Sequence, residues 1–214
     1  MGRTEEYLAS LLPANPLWAD ELEQFAKENQ VPIMEPSGIH YLMQLVRVKR
    51  PKRILEIGAA IGYSALRMLE AYPGTTIVTI ERDPERYQQA RTNLERLDED
   101  TRIELVLGDA LELQDEIHEK GPFDLLFIDA AKGQYQKFFE YYSQMITDEG
   151  IIVSDNVLFK GYPAGKDDDN KRMQKIGDKI RSYNDWLISH PHYHTTIVPV
   201  GDGIALTVKK VTGR

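Results

Sequence analysis

After the first fifty positions, short apolar, β-branched runs recur along the chain: Arg53 to Ile57, Thr76 to Ile80, Ile103 to Leu107, Asp124 to Ile128 and Gly150 to Ser154. Most are near-continuous rather than alternating, the pattern of parallel strands covered on both faces. Longer stretches with helical periodicity lie between them. One of these, Asp83 to Leu97 (DPERYQQARTNLERL), opens with an Asp-Pro start signal. The alternation is the βαβ rhythm of a doubly wound α/β sheet. The later part differs, because TTIVPV (Thr195 to Val200), GDG (Gly201 to Gly203) and IALTVK (Ile204 to Lys209) read as strand, tight turn, strand. The last two strands are therefore expected to form an antiparallel hairpin. Residues 1–35 read as an N-terminal helical extension of a single domain spanning 1–214, and GYPAGKDDDNKR (Gly161 to Arg172) as an exposed, mobile loop.

With 214 residues, 42% hydrophobic and 28% charged, the chain is long enough for one sizeable core and short for two large domains. No apolar run approaches the ~20 residues that span a bilayer, and MGRTEEYLAS lacks the basic start and apolar stretch of a secretory signal. Cysteine is absent, which removes disulfides, thiolate nucleophiles and cysteine-ligated zinc together; a cytoplasmic protein without membrane partners is expected. The net charge of -8 argues against a protein that coats nucleic acid non-specifically. It leaves room for a local basic face, either RVKRPKR (Arg47 to Arg53) or the group Lys166, Lys171, Arg172, Lys175, Lys179 and Arg181. Each cluster also reads as ordinary solvated surface.

The first strand leads into LEIGAAIGYSALRM (Leu55 to Met68), which puts Gly58 and Gly62 on a strand-to-helix turn. Small residues there let a ligand approach the backbone, and a helix N-terminus favours a carboxylate or phosphate. The spacing is G-x-x-x-G rather than the G-x-G-x-x-G of a dinucleotide fingerprint, with Ala60 where the middle glycine would stand. Close packing of helix on strand would explain the same residues. The second run ends at Glu81, where an acid can hydrogen-bond ribose hydroxyls, and the third ends at Asp109 and Ala110 beside the same crevice. Three consecutive strand tips bearing Gly, Glu and Asp point to a nucleoside site. Glu56, inside the first strand's end, is expected to fix the loop or a ligand amino group.

The motifs LEIGAAIGYSA, TIERD, GDAL, FIDAAKGQY and SDNVL, in this order, resemble those of the S-adenosylmethionine-dependent O-methyltransferases of the catechol and caffeoyl-CoA type. The similarity runs from Val31 onward. It implies a Rossmann-like, seven-stranded methyltransferase sheet with an antiparallel seventh strand, in agreement with the hairpin read from the pattern. By motif match, Glu81 would hold the cofactor ribose, Asp109 and Ala110 the adenine side, and Ser64 with the Gly58 and Gly62 loop the methionine portion. Met34, in VPIMEPSG, matches the segment that closes over the site, and the resemblance also places Asp129 beside the cofactor.

The fourth and fifth runs end alike, on Asp129 and on Asp155 with Asn156. Two carboxylates and an amide oxygen form a hard donor set suited to Mg²⁺ or another divalent cation. Asp at a strand end also caps turns, so either acid alone has two readings. Lys132 follows Asp129 in the D-x-x-K spacing that the resemblance assigns to a general base; the alternatives are a surface lysine or one that steers the substrate. SHPHYH (Ser189 to His194) lacks an acidic ligand set nearby and is not read as a metal site. Tyr183 and Trp186 fit the apolar side of a helix.

Within the family the closer resemblance is to bacterial tRNA 5-hydroxyuridine methyltransferases, carried by VPIMEPSG, PKRILEIGAAIGYSALRM, IDAAKGQYQKFF, DNVLFKG, YNDWLISHP and IVPVGDGIA. It implies the tRNA anticodon loop as partner, methylation of 5-hydroxyuridine to 5-methoxyuridine at the wobble position, and a homodimer. A small catechol-like or caffeoyl-CoA-like acceptor is the alternative, and a non-catalytic nucleoside-binding protein a further one.

Overall fold

The computed structural model describes residues 3–98, 101–166 and 169–211. Its centre is a seven-stranded sheet in the order β3-β2-β1-β4-β5-β7-β6. The strands are β1 (Arg53–Ile57), β2 (Thr76–Glu81), β3 (Ile103–Leu107), β4 (Phe123–Ile128), β5 (Ile146–Ser154), β6 (Tyr193–Val198) and β7 (Ile204–Lys209). The first five pair in parallel, and β7 runs antiparallel between β5 and β6. The expected sheet and terminal hairpin are therefore both present. The helices are α1 (Arg3–Ser10), α2 (Leu17–Glu28), α3 (Pro36–Lys49), α4 (Tyr63–Ala71), α5 (Pro84–Leu97), α6 (Gln114–Lys120), α7 (Tyr135–Tyr142) and α8 (Lys171–Ile188).

Position in the sheet accounts for each strand's burial. β1 and β4 lie centrally with helices on both faces, and four of the five β1 residues are buried. β3, at an edge, alternates more and exposes Glu104 and Leu107. Two apolar cores result, one per face. One holds Leu55, Leu126, Phe139 and Tyr183, and the other holds Leu42, Ile54, Phe127 and Leu66. Tyr183 and the half-buried Trp186 do lie on the packed side of α8. The Asp-Pro signal works as read, since Asp83 Oδ1 accepts from the backbone N–H groups of Glu85 and Arg86.

The sequence misplaces two boundaries. β5 begins at Ile146 rather than Gly150, because Ile146 already pairs with Phe123, and the polar stretch Thr147–Glu149 forms an irregularity before Ile151 pairs with Leu125. β6 occupies Tyr193–Val198, ending before Pro199, which has no N–H for the ladder. The segment expected to be an exposed loop is partly packed: Tyr162 and Pro163 are buried, Lys166 lies over the Tyr162 ring at 4.9 Å, and residues 167–168 lie outside the described set. The extension expected at 1–35 contains α1 and α2, with residues 1–2 outside that set. Arg67 of α4, 1% exposed, ties this region down by donating to Asn15 Oδ1 at 3.0 Å and lying over the Trp18 ring.

Tyr162 is held by α8, where a Cβ on Gly177 would stand 2.5 Å from its Cβ and 3.0 Å from its carbonyl carbon. Replacing glycine by alanine inside a helix normally stabilises by about 0.8–1 kcal/mol, but here the obstruction includes backbone that no rotamer change relieves. Overpacking of about 1–3 kcal/mol wins. Gly177→Ala is expected to lower the urea unfolding midpoint.

Candidate active site

The backbone ladder continues one residue past several strand ends. Gly58 and Ala59 donate to the Ile80 carbonyl, Asp129 to that of Ile57, Asp155 to that of Ile128, and Gly108 to that of Glu81. These bonds fix the C-terminal tips of β1 to β5 as one rim. Beside the rim lies a cavity of about 300 Å³, within the usual range for small-molecule sites. Its wall includes Met34, Gly58, Ala60, Ser64, Glu81, Asp109, Ala110, Asp129, Lys132 and Asn156, which brings together most of the residues singled out from the sequence.

Gly58 has φ +104°, and a Cβ there would stand 2.0 Å from the Asp129 carbonyl oxygen. Glycine is required both by the left-handed conformation and by the close approach. Ala60, at φ +48°, adopts a left-handed conformation without being glycine. Its N–H donates to Glu81 Oε2 at 2.8 Å, while Asp83 N–H donates to Oε1 at 2.9 Å. Each Glu81 oxygen is thus oriented by one backbone donor and keeps lone-pair capacity for a ligand in the cavity. Asp109 Oδ1 is used similarly by Leu111 N–H, and the Ala110 carbonyl accepts from the Tyr142 hydroxyl at 2.6 Å.

Two expected cofactor residues lie behind the wall. Glu56 is fully buried and accepts from the hydroxyls of Ser64 and Thr79. Glu56, expected to fix the loop or a ligand amino group, thus stands behind Ser64, which lines the cavity and whose hydroxyl it orients. Burial pushes the Glu56 carboxyl up to about 7, against the lowering effect of those two hydrogen bonds. Gly62, at φ +81°, is likewise off the wall and packs against Leu94.

At the other end of the cavity, Asp129 and Asp155 follow β4 and β5. Burial and their mutual repulsion push the Asp155 carboxyl up to about 8; burial raises Asp129, against the lowering effect of Lys132. Asn156 has φ +60° and donates from Nδ2 to Asp155 Oδ2 at 2.6 Å, leaving its Oδ1 as an acceptor. Asp155 sits just behind Asn156 rather than on the cavity wall. Two carboxylates and an amide oxygen fit a hard cation chemically, although among the described residues no three His, Cys, Asp or Glu side chains gather as a metal cluster. Lys132, in a short 3-10 turn (Lys132–Gln134), places its Nζ 5.2 Å from the centre of the Phe159 ring. The connection after Asn156 is clasped by the β6–β7 turn. Val157 N–H donates to the Gly203 carbonyl, the N–H groups of Leu158 and Phe159 to that of Asp202, and Lys160 N–H to Asp202 Oδ1.

Sequence reading missed Tyr63, Arg82, Arg86 and Phe138 on the wall. Tyr63 was open to discovery, since it adjoins Ser64 at the start of α4. His190 belongs to an aromatic cluster, 4.8 Å from the Trp186 ring and 4.9 Å from that of Tyr193. The basic run Arg47 to Arg53 leads into the first residue of β1 and lies at the opposite end of the sheet from the cavity. No described helix is long and apolar enough to cross a membrane.

The profile of a family described as O-methyltransferase matches residues 13–210. A catechol O-methyltransferase from Niastella koreensis is 30% identical over 185 residues, covering 83% of this chain and 82% of its own. A Staphylococcus aureus structure provisionally described as a caffeoyl-CoA O-methyltransferase superposes with TM-score 0.90 at 32% identity, over 98% of this chain and 100% of that one. An O-methyltransferase from Bacillus cereus, solved with S-adenosylhomocysteine, gives 0.81 at 26% identity over 97% of each chain.

The raised carboxyls make a stability prediction whose sign is fixed. Between an ordinary carboxylate value and about 8, the folded protein holds a proton on Asp155 that the unfolded chain has released. Stability therefore falls as pH rises through that window. In chelator-treated protein, urea unfolding from about pH 5 to about pH 8 is expected to show this decline, and Asp155→Asn to flatten it.

Proposed function

The chain belongs to the O-methyltransferase family, as an S-adenosylmethionine-dependent enzyme of the caffeoyl-CoA and catechol type, and we propose that it uses a divalent cation to methylate 5-hydroxyuridine at the tRNA wobble position. The reading rests on one juxtaposition: Asp129, Lys132 and Asn156 share a cavity wall with Glu81 and Ser64, with Asp155 directly behind.

In this reading Glu81 accepts from the cofactor ribose, Asp109 and Ala110 flank the adenine, and Met34 covers the cavity. Ser64, whose O–H is committed to Glu56, turns its oxygen lone pairs toward the cofactor's amino-acid end. Asp129, Asp155 and Asn156 would hold Mg²⁺ or a similar ion, which when bound polarises an acceptor hydroxyl and the carbonyl beside it. Lys132 Nζ takes the hydroxyl proton. The freed oxygen forms a bond to the sulfonium methyl as the sulfur–methyl bond breaks, leaving S-adenosylhomocysteine. Alignment of the two reactants in one cavity supplies much of the acceleration.

5-Hydroxyuridine suits such a site because its acidic hydroxyl adjoins the C4 carbonyl, a vicinal oxygen pair. An RNA loop lets an unpaired base be splayed into a pocket. Support for an RNA acceptor comes from α8, where Lys171, Arg172, Lys175, Lys179 and Arg181 are exposed. A Cβ on Gly133, next to Lys132, would meet Lys179 Nζ at 3.2 Å, so this basic face begins beside the site. A local rim of this kind is compatible with a net charge of -8. The small-molecule reading is favoured by the names of the relatives, which act on catechol or caffeoyl-CoA. A homodimer would use α1, whose Tyr7 and Leu8 are exposed together with Leu11 just beyond it.

Hypomodified tRNA incubated with the enzyme, S-adenosylmethionine and Mg²⁺ should yield 5-methoxyuridine by mass spectrometry; no product with any tRNA, alongside turnover of a catechol, would transfer the assignment to small phenols. Mg²⁺ should raise the wild-type thermal midpoint, and Asp155→Ala should abolish both that shift and turnover. Lys171→Glu with Arg172→Glu should weaken tRNA methylation and spare cofactor affinity.

A further inference from the structure

The ribose end of the cavity contains an arginine whose guanidinium Nη1 has no hydrogen-bond partner among the described residues. Arg86 lies in the first turn of α5 and lines the wall together with Glu81 and Arg82. Its Nη1 is buried and has no hydrogen-bond partner. Its backbone N–H is engaged by the Asp83 cap at 3.1 Å, so the turn that carries this side chain is fixed at the cavity wall.

Neither feature helps the folded protein by itself. A buried, unpaired donor costs free energy, and more so on a charged group. A cation in the first turn also opposes the positive end of the helix dipole. The obvious internal partner is Glu81, yet no ion pair within 4.0 Å joins the two among the described residues. Both Glu81 oxygens are instead held by the backbone of Ala60 and Asp83. Two residues of opposite charge thus line one cavity without closing on each other.

A vicinal diol matches that pair. Each ribose hydroxyl has one hydrogen to donate and two lone pairs that accept. A diol whose hydrogens go to Glu81 exposes lone pairs that require a donor. We propose that Arg86 supplies it, as a cofactor-binding residue that completes with Glu81 a two-sided clamp on the ribose of S-adenosylmethionine. Glu81 reads the hydroxyl hydrogens and Arg86 the hydroxyl oxygens. The clamp rests on the cofactor assignment above and is independent of the acceptor and of any metal.

The test is a cycle of Arg86→Met against removal of the ribose hydroxyls, read by calorimetric titration with S-adenosylhomocysteine and with a counterpart lacking both hydroxyls. Methionine keeps most of the side chain's apolar length and removes the donors. A charge-assisted hydrogen bond corresponds to roughly a 10- to 100-fold change in affinity. Arg86→Met is expected to weaken S-adenosylhomocysteine by about that factor and the deoxygenated counterpart by less than about threefold. The thermal midpoint of the ligand-free variant should equal or exceed that of wild type, because the lost group has no partner in the unliganded protein. Equal losses for both ligands, no loss for either, or a lowered midpoint with unchanged binding would each overturn the clamp while leaving the cofactor assignment intact. Failure of the wild-type protein to bind S-adenosylhomocysteine would overturn both.

Discussion

The backbone contact between Gly58 and Asp129 is the constraint on which the site depends. At φ +104°, with no room for a Cβ against the Asp129 carbonyl, the turn leaving β1 lies directly on the turn leaving β4. One turn begins the loop that leads to Ser64, and the other carries Asp129 and precedes Lys132. Ladder bonds past the strand ends lock both turns to their neighbours. Methyl donor and methyl acceptor can thus be brought together by a rigid sheet edge instead of by two loops that must find each other, and such rigidity favours near-attack geometry.

Charge is arranged in layers around this edge. Ser64, on the cavity wall, is oriented by Glu56 set behind it, and Glu81 by the backbone N–H groups of Ala60 and Asp83. Asp155 stands behind Asn156 in the same way. The rear groups bear the cost of burial, visible in the raised carboxyls of Glu56 and Asp155. The front groups are left with fixed directions and unused lone pairs, which is the form of preorganisation that selects a ligand before it arrives.

The sequence was informative where a single residue both ends a strand and faces the crevice. Asp129, Glu81 and Asp109 interrupt apolar runs at positions where the βαβ rhythm places strand tips, so pattern and chemistry coincide. Asp83 was legible because N-capping is a local interaction. Depth relative to the wall was not legible: Glu56 and Ser64 are eight residues apart, and only the packing of β1 on α4 decides which one meets the ligand. Arg86 reads as one more charge on an amphipathic helix, since its lack of a partner is a property of the three-dimensional neighbourhood. The start of β5 was hidden for a related reason, because Ile146 pairs with Phe123 ahead of a polar irregularity at Thr147–Glu149 that interrupts the apolar pattern.

The clasp of Asp202 and Gly203 on residues 157–160 also bears on the order in which the protein can mature. Parallel strands β1 to β5 arise in sequence and can pair as they leave the ribosome. The connection that follows Asn156, however, finds acceptors for four successive N–H groups only in a turn synthesised more than forty residues later. A nascent chain can therefore assemble the Glu81 end of its cavity while the segment after Asn156 is still without its backbone partners. The Asn156 end of the cavity gains its supports last, from a hairpin whose turn offers it only hydrogen-bond acceptors.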